Sequence, residues 1–223
     1  MKNLILSIIG FLLLPCIVHA QRIVFTPQWT PQSQFAGYYV AQEKGFYKEA
    51  GVEVNFQHPS VSYSALNRLM EGSSDMITTQ LTQAMIAIDR GIPMAHVLQT
   101  SQKNGLVLLG RSDSIRTIED LRKKKVGVWK AGFGELAYIM DAELRLGIKW
   151  IPFLEGTNLF ISGAIDATLA MSYNEYQQIR ASGHEDKIPI RFEDTEYNYP
   201  EDGLYVSLEF SRRYPEKVKA FVE

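Results

Sequence analysis

The sequence predicts an α/β fold, and three observations carry that prediction. Short apolar runs alternate with helix-period segments along the whole chain. Glycines punctuate the helix ends. The first elements read strand, helix, strand, the unit of a parallel sheet. The length agrees: 223 residues, 46% hydrophobic and 22% charged, suffice for one large or two small globular domains.

The elements follow in order. "RIVF" (Arg22 to Phe25) is a strand. The chain then turns at Pro27 and Pro31 and enters a helix that runs to Lys44. Thr30 before Pro31 fits a cap and first position, Ser33 is the alternative cap, and Gly45 suits a left-handed stop. "FYKEA" adds a turn and "VEVNF" is the next strand. "SYSALNRLMEG" spaces Leu66, Leu69 and Met70 as a helix. "DMITTQ", "LTQAMIAIDRG" and "PMAHVLQT" read strand, helix, strand, and "LVLLGR" is another extended run. "TIEDLRKKK" opens with Thr117 and Asp120 at capping-box spacing. "VGVW", "GELAYIMDAELRLG" and "KWIPFL" repeat strand, helix, strand, as do "TNLFISGAI", "DATLAMSY" and "NEYQQIRASG" with the order reversed. "IPIRFED" is a last strand, and Pro215 starts a terminal helix with Val218, Phe221 and Val222 as its apolar stripe.

The entrance to the first helix has an unusual makeup. Trp29, Gln34, Phe35 and Tyr38 crowd it, just past the carboxyl end of a strand, where open α/β sheets bind ligands. Flat rings stack on flat rings, worth about 0.5–1.5 kcal/mol beyond area burial. Amide side chains both donate and accept, matching the ring nitrogens and carbonyls of a neutral heterocycle. The alternative for the aromatics is core packing at the helix start. "TTQ" (Thr78 to Gln80) and "SYNE" (Ser172 to Glu175) close two further apolar strands with hydroxyl, amide, ring and carboxylate groups, although Asn174 fits a helix cap equally well.

Other chemistries fare worse. A net charge of -2 offers no basic surface for nucleic acid. In "VGVWKAGFGELA", Gly132, Gly134 and Ala137 match a dinucleotide fingerprint, with Glu155 near the place of a ribose-binding acid. Lys130 and Ala131 intrude, however, where that turn must be tight. What remains is a loop turning into a helix, or backbone N–H groups meeting a polar ligand. His58, His96 and His184 lack metal-ligand spacing, and no elbow-type serine occurs, so no catalytic residue, metal or cofactor is expected. "RKKK" (Arg122 to Lys125) reads as a solvated run complementing a helix dipole.

Residues 1–20 read as a signal peptide: Lys2, an apolar core from Leu4 to Leu14, and a Val18-His19-Ala20 cleavage site. Their removal leaves 22 basic against 25 acidic residues, since Lys2 is the segment's one charge. Cys16, the sole cysteine, lies inside this leader after Pro15, an unfavourable place for lipid attachment. The mature chain then has no disulfide and no thiolate zinc site.

"QWTPQSQFAGYYVAQEKGFYKEAGVEV" resembles the opening of ABC transporter solute-binding proteins of the thiamine-pyrimidine-synthase-like superfamily, which bind pyrimidine precursors of thiamine or, nearest to "PQSQFAGYYVA", riboflavin. The similarity continues through "EGSSDMITTQ", "DRGIPMAHVLQTSQKNGLVLLGR", "TIEDLRKKKVGVW" and "GAIDATLAMSYNE". The resemblance implies a type II periplasmic-binding-protein fold, with two α/β lobes, two crossovers and a ligand clamped between them. Residues 21–108 plus 203–223 would form lobe one and 109–202 lobe two, with further helices expected after "FVE". It places Trp29, Gln34, Phe35 and Tyr38 in the pocket, with Thr79 and Gln80 from lobe one and Phe133, Gly134, Asn174 and Glu175 from lobe two. It implies a monomeric periplasmic protein that delivers a heterocycle to a membrane permease. A sensory domain of a membrane signalling protein is the second reading, and a synthase the third. The fungal synthases carry a cysteine-rich iron motif and a consumed histidine; neither motif is present.

Overall fold

The computed structural model describes residues 22–60, 63–130, 133–184 and 189–223; the expected leader, Cys16 and Gly132 lie outside them. Two five-stranded sheets organise the chain. The first contains β1 (Ile23–Thr26), β2 (Val54–Phe56), β3 (Met76–Gln80), β4 (Met94–Gln99) and β10 (Asp202–Ser207), in the order β2-β1-β3-β10-β4. The second contains β5 (Leu106–Gly110), β6 (Lys125–Trp129), β7 (Lys149–Phe153), β8 (Ala167–Met171) and β9 (Ile190–Arg191), in the order β7-β6-β8-β5-β9. The chain leaves the first sheet after β4 and returns to it at β10, so two crossovers join two α/β lobes. Because β5 lies wholly in the second sheet, the first crossover falls just before the expected 108/109 boundary.

The two sheets share a plan. In each, the strand that arrives by crossover takes the fourth position and runs antiparallel to both neighbours: β10 between β3 and β4, β5 between β8 and β9. The pairs β1–β2, β1–β3, β6–β7 and β6–β8 are parallel. The central strands β5 and β8 are largely apolar because both of their faces are buried. In β5, Leu106 and Leu108 join a core with Val126, Val128, Leu169 and Phe192. Val107 and Leu109 turn to Phe160, Ile165 and Ile179 on the other face.

Helices α1 (Ala36–Lys44), α2 (Phe46–Glu49), α3 (Ala65–Met70), α4 (Leu81–Asp89), α5 (Glu135–Leu144), α6 (Asn158–Ile161) and α7 (Glu175–Ala181) fall between the strands, and α8 (Leu208–Arg213) and α9 (Pro215–Val222) follow β10. Three local expectations change. Neither Thr30 nor Ser33 caps α1; residues 33–35 form a 3₁₀ turn that feeds it, and the helix stops at Gly45 in the left-handed region, φ +80°. "TIEDLRKKK" yields only a 3₁₀ turn at Glu119–Leu121. Asp120 does accept from the Arg116 and Thr117 amides, but Lys123 adopts φ +58° and leads the chain into β6. Arg122 reaches the carboxyl end of a different helix, donating to Arg145 O of α5 at 2.7 Å. "DGLYVS" is β10, which the sequence reading had not identified as a strand.

Candidate functional site

Parallel strands β1 and β3 of one lobe and β6 and β8 of the other end facing a common cleft. Strand ends and the chain just beyond them line it: Gln28, Trp29, Gln32 and Gln34 from lobe one; Trp129, Phe133, Met171, Tyr173 and Glu175 from lobe two. The backbone is held there by specific bonds. Gln28 N donates to Thr78 Oγ1 at 2.9 Å, tying the segment after β1 to β3. Trp29 O is 2.7 Å from His58 Nδ1, and His58 Nε2 is 2.9 Å from the Tyr39 hydroxyl. A carbonyl only accepts, so Nδ1 of His58 carries a proton and donates it to Trp29 O.

The middle of the cleft is filled by an aromatic pair. The rings of Trp29 and Phe133, one from each lobe, meet edge to face at 5.2 Å and 89°. Phe133 touches three small voids of about 20, 10 and 40 Å³: the central cleft, a space beside Gln80 and Glu201, and one beside Thr79 and Gln83. This is a closed arrangement, since ligand pockets usually measure roughly 300–1,000 Å³.

The second crossover contributes two buried acids. Asp202 accepts from Gln28 Nε2 at 2.8 Å and Gln34 Nε2 at 2.6 Å. Glu201 spans to lobe two, accepting from Gly105 N at 2.5 Å and from the Tyr173 hydroxyl at 3.0 Å. A Cβ on Gly105 would lie 2.8 Å from Glu201 Oε2 and 2.9 Å from the Tyr173 ring, so the close approach needs glycine. Burial, and then the charge of Asp202, push the Glu201 carboxyl up to about 7 despite its hydrogen bonds. Burial also raises Asp202 and Glu175.

The sequence-predicted residues divide into three groups. Trp29, Gln34, Phe133 and Glu175 line the central cleft, while Gln80 and Thr79 line its side voids. Asn174 bridges the lobes, donating to Gln32 Oε1 at 2.8 Å, and its side chain makes no capping bond for α7. Phe35, Tyr38 and Gly134 lie elsewhere. Phe35 is buried in lobe one with its ring 6.0 Å from His58, behind Trp29. Tyr38 packs on Phe25 and Phe221 at the flank of the first sheet, following the periodicity of α1 away from the cleft. Gly134 sits against the core: a Cβ there would meet Val128 Cγ2 at 2.4 Å. Sequence reasoning pointed to Tyr173 only as the ring of "SYNE" and missed Gln28, Gln32, Glu201 and Asp202. "TPQWTPQSQ" did hold the signal for the two glutamines, since amides recur around one tryptophan.

A family model described as NMT1/THI5 like matches residues 32–223. Riboflavin-binding protein RibY of Chloroflexus aurantiacus is 26% identical over 214 residues, 91% of this chain and 60% of that protein. The 4-amino-5-hydroxymethyl-2-methylpyrimidine phosphate synthase THI13 of Saccharomyces cerevisiae is 26% identical over 160 residues, 67% of this chain and 46% of that enzyme. The chain thus spans about half to three-fifths of the length of these curated relatives. Among solved structures, the alkanesulfonate-binding protein SsuA from Xanthomonas axonopodis pv. citri bound to MOPS superposes with a TM-score of 0.68 at 14% identity, covering 89% of this chain and 69% of that one. That likeness, with two lobes and two crossovers, makes the fold that of a periplasmic binding protein. The chain belongs to the NMT1/THI5-like family.

Proposed function

We propose that the protein is an extracytoplasmic solute-binding component that captures a planar, nitrogen-rich heterocycle, a thiamine-precursor pyrimidine or a flavin. It closes its lobes around this guest and presents it to an ABC transporter permease. The observation that carries the reading is the Trp29–Phe133 pair. Two rings approach from opposite lobes at the carboxyl ends of β1 and β6, and a flat guest gains most from entering between them. The amides of Gln28, Gln32 and Gln34 and the carboxylate of Glu175 surround that place. Closure follows from contacts with the guest that only the closed form offers. His58 serves by holding the Trp29 carbonyl, and Phe35 packs against the His58 ring.

We read a binder rather than a synthase. The cysteine-rich motif of the fungal enzymes has no counterpart, and His58 beside the cleft has both ring nitrogens engaged. The test is thermal unfolding of the whole protein with riboflavin and with 4-amino-5-hydroxymethyl-2-methylpyrimidine. A guest at a hundred times its Kd adds about 2.7 kcal/mol, which raises the Tm of a chain this size by roughly 5–10 °C. No shift with either compound would overturn the ligand class. Formation of a pyrimidine product with loss of a histidine, read by mass spectrometry, would overturn the non-enzymatic reading.

A further inference from the structure

Hydrogen bonding around the cleft runs in one direction. Asn174 Nδ2 donates to Gln32 Oε1 at 2.8 Å and to Glu175 Oε1 at 3.0 Å. Gln32 Nε2 donates to Gln34 Oε1, and Gln34 Nε2 donates to Asp202 Oδ2 at 2.6 Å. Gln28 Nε2 donates to Asp202 Oδ1 at 2.8 Å. Each of these amide nitrogens gives an N–H to a carboxylate or to another amide, and Asn174 gives both. A flip of Gln28 would aim its carbonyl at a carboxylate, so Asp202 fixes the orientation of that amide.

The other end of Gln28 is left over. Its Oε1 is buried without a partner, on a residue only 7% exposed that lines the central cleft and one side void. A buried acceptor without a donor is costly and uncommon. Glu175 lines the central cleft from the other lobe. No Lys, Arg or His is among the described residues lining any of the three voids, whereas Glu175 and Glu201 are.

We infer that the cleft selects its guest by hydrogen-bond donors, an amine, an imide N–H or a protonated ring nitrogen on the guest's edge, received by Gln28 Oε1 and Glu175. An anion finds no cation there and meets buried carboxylates, so sulfonates are turned away although a relative of the same fold binds MOPS. The inference rests on the solute-binding reading and names the chemistry of its guest.

Titration calorimetry on the wild-type protein tests it with paired probes: 4-amino-5-hydroxymethyl-2-methylpyrimidine against its 4-dimethylamino counterpart, and riboflavin against 3-methylriboflavin. MOPS is the anionic arm. Removing the N–H is expected to weaken binding about ten- to hundredfold, and MOPS is expected not to bind at millimolar concentration. In Gln28→Met the methylation penalty should fall, and in the double variant Gln28→Met/Glu175→Leu it should shrink to near nothing, because both acceptors are gone. A penalty that persists in full in the double variant is steric and overturns the inference. Equal binding within the wild-type pairs also overturns it, with no variant needed. In both cases the heterocycle reading of the site stands. Binding of MOPS overturns the anion exclusion, and if MOPS alone binds, the heterocycle falls with it. If nothing binds, the proposed function itself fails.

Discussion

Glu201 sits where the second crossover meets both lobes, and its carboxyl is raised to about 7 by burial and by Asp202. Asp202, Tyr173 and Gln80 are the groups that face it, with the Gly105 amide. The unfolded chain loses this proton near the ordinary 4.5, while the folded chain keeps it to about 7. Its contribution to stability is therefore full below about 4.5 and disappears as pH rises to 7. Glu201→Gln should flatten that slope and raise stability at pH 8 by on the order of 2 kcal/mol. Urea unfolding of both proteins at pH 5 and pH 8 measures the difference; a wild-type slope retained in the variant would place the titration on another group. At this scale the sequence was half legible. Trp29 and Gln34 announced themselves because rings and amides crowd one helix entrance, away from any apolar stripe. Glu201 and Asp202 did not, because "YPEDG" has the composition of a solvated turn. Only the antiparallel return of β10 beside β3 buries the two acids. Phe35 and Tyr38 satisfied the same compositional criterion as Trp29, but the 3₁₀ turn and α1 rotate them into lobe one.

Among elements, strands next to long apolar runs were the easiest to read. β3, β5 and β8 are buried along their whole length; β5 is continuously apolar, β8 nearly so, and β3 opens on an apolar pair before Thr78, Thr79 and Gln80. β10 is buried too, yet it opens with Asp202 and Gly203 and hid behind turn residues. The helix after it was also missed. Ser207 caps α8, its hydroxyl accepting from Phe210 N at 3.1 Å, and so sets Phe210 into the core of lobe one. Ser207→Ala should cost about 1 kcal/mol, seen as a lower denaturant midpoint with an unchanged slope. An unchanged midpoint would mean that packing of Phe210 alone directs the helix. The failed helix at "TIEDL" shows the converse: cap chemistry was present and used, but two residues after Leu121 the backbone turns left-handed, and no helix propagates.

For the whole molecule, the alternation of helices and strands gave the class, and only the resemblance gave two lobes, because periodicity does not reveal which strands share a sheet. The voids between the lobes, about 20, 10 and 40 Å³, hold water-sized objects and no ring system. On the proposed solute-binding reading, the lobes separate to admit a ring about the crossovers, where Thr100 and Ser101 amides both donate to Asp202 O. Solution scattering should find a radius of gyration that falls when riboflavin or the aminopyrimidine is added. A constant radius with proven binding would assign entry to side-chain rotation instead.

The Trp29–Phe133 contact has one more consequence. On the proposed solute-binding reading, a guest must displace a ring contact that the protein already makes across its own cleft. That contact weakens the apparent affinity of every solute by the same factor, which leaves only those that gain more from the two rings than the rings gain from each other.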